Sequence, residues 1–61
     1  MTLRDWMTKL DITIDQAARS FDVSTHAVIK WLRKERIPRP QTQKKIKKIT
    51  RGAVTPMDWI D

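Results

Sequence analysis

The sequence predicts an all-α fold, a compact bundle of four to five short helices. Two observations carry the prediction. Apolar residues recur at helical spacing along most of the 61-residue chain, and no stretch alternates apolar and polar residues long enough to make a strand. Thr and Ser also stand repeatedly just ahead of those apolar runs, where the unpaired N–H groups of a helix start need acceptors.

The first helix starts at Thr2 as cap, with Asp5 three residues on completing a capping-box pattern. Leu3, Trp6, Met7 and Leu10 then fall at i, i+3, i+4 and i+7 and form one apolar stripe for the core. Thr13 to Gln16 is a second capping box, and Asp15 suits the positive end of the helix dipole. Ala17, Ala18 and Phe21 give that short helix its buried face, and it stops near Asp22. Ser24 caps a third helix, Val23 and Val28 fit a hydrophobic staple around the cap, and Val28, Trp31 and Leu32 face inward.

Residues 33–40 (RKERIPRP) break the periodicity. Pro38 and Pro40 bias the residues before them away from helix, which predicts an ordered loop anchored by Ile37. Pro40 suits the first turn of a fourth helix with Ile46 and Ile49 inward and Lys44, Lys45, Lys47 and Lys48 outward. Gly52 stands where a left-handed helix end is expected. Thr55, Pro56 and Asp58 then open a last short helix through Trp59 and Ile60. Trp6 and Trp31 are expected in the core; Trp59 either closes the core or belongs to a contact between copies. Nothing divides the chain, so residues 1–61 are expected to form a single domain.

The second and third helices are separated by three or four residues, and each has a narrow apolar face. Two such helices must cross steeply to share one core, with Ala18 small at the closest approach and Phe21, Val23, Val28 and Trp31 filling the open end. Asp22 falls on the sharp turn, where a positive φ is expected and Asp is better tolerated than most residues. The expectation is a helix-turn-helix over about residues 14–33, with Thr25, His26, Ile29, Lys30 and Arg33 facing outward.

Charge is distributed unevenly. Residues 1–23 hold three basic and four acidic side chains, residues 24–51 hold ten basic side chains against Glu35, and residues 52–61 add two acids, for a net charge of +6. A surplus confined to the middle of the chain suggests a polyanionic partner. There is no Cys and only one His, and the carboxylates stand at helix starts where capping explains them. Catalysis, a metal site, a cofactor and a small-molecule ligand are therefore not expected. No apolar run approaches a membrane span or a signal peptide, so a cytoplasmic protein with no membrane partner is expected.

The segment TIDQAARSFDVSTHAVIKWL and the tail ITRGAVTPMDW resemble the phage Cro and lambda-repressor-like helix-turn-helix family, including small Cro-like prophage regulators. The match runs through most of the chain. It departs at Asp22, where the family usually has Gly, and at Ile14, where many members have a phosphate-contacting Gln. The resemblance implies a transcription regulator, a repressor that occupies a two-fold-symmetric double-stranded DNA operator as a homodimer. It places base readout on Thr25, His26, Ile29 and Lys30, and phosphate contacts on Ser24, Gln16, Arg33, Lys34, Arg36 and Arg39.

Chemistry suits these positions. Lys30 and His26 can donate to guanine or phosphate, Thr25 can serve either role and touch a thymine methyl, and Ile29 offers apolar contact. Lys44, Lys45, Lys47 and Lys48 surround half of their helix, so at least two must point away from any one DNA surface. A solvated face adding long-range attraction is the expectation there. The candidate dimer surface is Val54 to Ile60. Two alternatives remain open: a protein-binding module of the same fold, such as an antitoxin or antirepressor, and a DNA-bending accessory factor for recombination.

Overall fold

Thr2 starts the first helix as expected: the Asp5 N–H donates to Thr2 Oγ1 (3.2 Å), and α1 runs Leu3–Leu10. The computed structural model describes residues 1–59. After α1 come α2 (Ile14–Phe21), α3 (Thr25–Leu32), α4 (Pro40–Ile49) and a 3-10 turn (Pro56–Trp59), with no strand among the described residues. At Thr13 the capping box is complete in both directions, 3.1 Å from the Gln16 N–H to Thr13 Oγ1 and 2.9 Å from the Thr13 N–H to Gln16 Oε1. Ser24 accepts from the Ala27 N–H at 3.2 Å and starts α3. Pro40 takes the first position of α4.

All four helices end in the same way. Asp11, Asp22, Lys34 and Arg51 each take a left-handed φ (56°, 56°, 61° and 55°) just past the helix. The N–H after each donates back to a carbonyl five residues earlier, as from Ile12 to Met7, Val23 to Ala18, Glu35 to Lys30 and Gly52 to Lys47. This closure satisfies carbonyls that a helix end would otherwise leave open. It also corrects the place of Gly52, because Arg51 is the first left-handed residue and Gly52 (φ 81°) the second. Asp22 adopts the strained conformation its position demands. Asp22→Gly is expected to raise stability by about 0.5–1 kcal/mol, the relief of side-chain strain less the added freedom of the unfolded chain. Urea unfolding checks this, and an unchanged or lower midpoint would show the turn to be unstrained.

One core joins the four helices. Leu3, Trp6 and Met7 come from α1, Ala17, Ala18 and Phe21 from α2, Val28 and Trp31 from α3, Ile46 from α4, and Val54 from the tail. Trp6 lies against Phe21 with ring centroids 5.8 Å apart, and Trp31 meets Trp59 edge-on at 6.0 Å. The radius of gyration is 10.1 Å, close to the roughly 10.5 Å expected of a packed chain of this length.

Four expectations fail, two at helix ends and two in the connecting segments. Leu10 is 54% exposed, because α1 stops there and Ile12, after the turn, packs on the core instead. Ile49 is 38% exposed; buried Thr50 takes the inward place, its hydroxyl donating to the Ile46 carbonyl (2.8 Å) and accepting from the Val54 N–H (3.1 Å). Ile37 is 61% exposed and does not anchor its loop. Buried Pro38 does, with its carbonyl accepting from Gln43 Nε2 at 2.7 Å. Val54, at 0% exposure, is core and cannot belong to a dimer surface. Trp59 is half-buried against Trp31 and closes the core, while Ile60 lies outside the described residues.

The tail is held by Asp58. Its Oδ2 accepts from the Thr55 N–H (2.8 Å) and hydroxyl (3.0 Å), with the Met1 ammonium at 3.4 Å. The Thr55 N–H chiefly, helped by the Thr55 hydroxyl and the ammonium against an opposing desolvation, holds this carboxyl below its ordinary pKa. A carboxyl more acidic when folded stabilises the fold above its unfolded pKa of about 3.9, and that stability is lost as pH falls through the folded value. Asp58→Asn should therefore melt at a lower temperature than wild type at pH 7, with the gap closing below about pH 4. A gap independent of pH would refute the assignment.

Candidate nucleic-acid interface

The orientation of α3 follows from what it buries. Val28 and Trp31 face the core, so at about 100° per residue the opposite face centres on His26 and Arg33, with Ile29 on one side and Lys30 on the other. Thr25 and His26 are exposed, while Ile29 and Lys30 are half-buried. Ser24 is exposed, but its hydroxyl is engaged as the cap of α3.

Beside α3 lies an open cleft of about 470 Å³. Ser24 lines it from the cap of α3, His26 and Lys30 from α3 itself, Arg36 and Arg39 from the loop, and Thr42 from α4, with no carboxylate on its walls. The positive end of α4 opens onto the same space: Arg39 occupies the N-cap position and makes no side-chain cap bond. Basic side chains and a helix start thus converge where an anion would be held.

The structure divides the site residues expected from the sequence into groups. His26, Lys30, Arg36 and Arg39 come together at the cleft. On the wheel of α3, Thr25 and Ile29 lie toward the other flank. Arg33 is exposed and pairs with Glu35 at 3.3 Å, an exposed ion pair of little energetic weight that a phosphate could replace. Lys34 lines a different groove, with Arg4, Leu32, Asp58 and Trp59, on the far side of Ile37. Gln16 is exposed, but its Oε1 is committed to the Thr13 N–H, leaving the amide NH₂ to donate. Sequence reasoning missed Thr42, whose only signal was its place in the first turn after Pro40.

Among the described residues no cluster of three or more His, Cys, Asp or Glu could hold a metal ion, and no helix is long and apolar enough to cross a membrane. No family model matches the chain, and no curated protein or solved structure matches it either.

Proposed function

We propose that residues 14–33 act as a helix-turn-helix and that the protein is a sequence-specific regulator of transcription, a Cro-like repressor acting in the bacterial cytoplasm. It would occupy a two-fold-symmetric DNA operator as a homodimer and exclude polymerase by occupancy. The observation that supports this most is the meeting of an exposed α3 start with a cleft lined by His26, Lys30, Arg36 and Arg39 and by no carboxylate. A helix with such a flank enters the major groove by its N-terminal residues while the adjoining cations take the phosphates at the groove edge.

Within this reading Lys30 and His26 donate to base edges, and Thr25 and Ile29 meet a base edge or thymine methyl on the other flank. Arg36 and Arg39 set the register on the backbone; Arg33, Lys34, Ser24 and Gln16 add phosphate contacts of lesser weight. Size agrees with one half-site per copy. The Cα extents are 23 × 22 × 19 Å, and side chains add about 3 Å on each side. Two copies centred one DNA turn apart, about 34 Å, therefore fit side by side without overlap.

Selection of bound sequences from a random duplex pool tests the proposal. The expected outcome is an enriched motif with two inverted half-sites about one turn apart. A bound pool as random as the input would overturn it. The protein-binding alternative is better probed at Met57, 75% exposed, than at Trp59, whose loss would disturb the core.

A further inference from the structure

The lysines of α4 form a surface of their own. Ile46 is the buried residue of this helix; at about 100° per residue, Lys47, Lys44, Lys48 and Lys45 lie near 100°, 160°, 200° and 260° from it, an arc centred opposite the core. All four are exposed. None of the ion pairs among the described residues involves α4, and between Glu35 and Asp58 the sequence holds seven cations and no carboxylate. The lysines stand three and four residues apart and repel one another along the helix, with no ion pair among the described residues to offset it and only the negative end of the helix dipole to favour Lys47 and Lys48.

This face does not look into the α3 cleft. Thr42, the α4 residue on the cleft wall, lies about 40° from Ile46 on the other side, which puts Lys44, Lys47 and Lys48 at least about 120° away from it, behind the body of the helix, and Lys45 only about 60° away, at the edge between the two surfaces. A duplex seated on α3 therefore lies on the other side of the helix from Lys44, Lys47 and Lys48.

We propose that the α4 lysine face is a second polyanion site, which holds the phosphate backbone of a second DNA segment and lets one protein bridge two duplexes. The charge spacing favours this occupant. Lys44 and Lys48, about 40° apart at the centre of the arc and about 6 Å apart along the helix axis, can meet one phosphate backbone together, while Lys47 and Lys45 on its two edges add long-range attraction. Their spacing is also well inside the Debye length of about 8 Å at physiological salt, so they act together. Gln41, about 220° from Ile46, shares this arc, but ammonium contacts to the phosphate backbone carry no sequence information, so this holding does not select a sequence.

The test uses the full chain in two assays: affinity for one labelled duplex, and capture of a second labelled duplex by protein already on an immobilised one. Wild type should capture the second duplex. The Lys44→Gln, Lys47→Gln, Lys48→Gln variant should lose capture about tenfold or more at physiological salt, and the log–log salt slope of capture should fall by about 0.9 for each lysine engaged. Its affinity for the first duplex should change little, and its melting temperature should hold or rise as repulsion is relieved. Lys30→Ala with Arg36→Ala should show the converse, a weakened first duplex.

Undiminished capture by the triple variant would overturn the proposal, as would equal loss in both assays, which would put the lysines on the α3 duplex. Displacement of the second duplex by polyglutamate as readily as by duplex DNA would overturn it in favour of an acidic protein. Capture needs no sequence preference, so a failed selection for an operator and a failed capture are separate results.

Discussion

Phe21→Ala is expected to leave most of the protein unfolded at 25 °C. Phe21 is fully buried at the end of α2, with Trp6 of α1 against its ring. Truncating such a residue costs about 3–5 kcal/mol, in lost burial and in the cavity left behind. A chain of 61 residues has roughly 3–9 kcal/mol in total to lose. Small domains bury a lower share of their surface than large ones, which places this chain toward the low end of that range. Helical circular dichroism at 222 nm and its thermal transition report the outcome. A cooperative melt displaced by only a few degrees would show that the core collapses around the gap.

Lys30→Ala is expected to reduce discrimination between the selected site and random duplex by roughly 5- to 150-fold, the equivalent of about 1–3 kcal/mol. Arg36→Ala and Arg39→Ala should instead weaken both duplexes alike and lower the salt slope by about 0.9 each. The contrast arises from position. Lys30 is on α3, whereas Arg36 and Arg39 come to the cleft from the loop that follows it. Competition binding at two salt concentrations separates the two patterns. If Lys30→Ala weakens the selected and random duplexes equally, Lys30 is a phosphate contact and the bases are read elsewhere on α3.

Much of the fold was legible because helix boundaries are local. Thr2, Thr13 and Ser24 each accept from an N–H three residues on, so their role can be read from residue type and spacing. Asp22 was legible as the left-handed residue for the same reason, since the turn must reverse within three residues of the end of α2. The buried faces of α1 to α3 followed from periodicity at Trp6, Met7, Ala17, Phe21, Val28 and Trp31. Leu10 and Ile49 obey the same periodicity and are exposed nonetheless. Each ends its helix, and the chain turns so that Ile12 and Thr50 take the inward places.

The candidate site was legible to a smaller degree. That Thr25, His26, Ile29, Lys30 and Arg33 avoid the core face of α3 follows from helical geometry alone. Their separation into two flanks follows from the same wheel, but the meetings of His26 and Lys30 with Arg36, Arg39 and Thr42 do not. Those depend on how the loop crosses α3, which buried Pro38 and its bond from Gln43 decide. Ile37 had the stronger hydrophobic signal and is exposed, because the loop turned its neighbour inward.

By itself, then, the sequence determined the all-helical class, the four helix starts, the left-handed turn at Asp22 and the concentration of positive charge in residues 24–51. Only the tertiary structure decided which cations share a cleft, which lysines stand apart from it, and that Val54 and Trp59 serve the core. The reason is one of range. Caps and turns are set by atoms within about five residues of one another, whereas burial at element ends and the convergence of side chains depend on contacts between segments far apart in the chain.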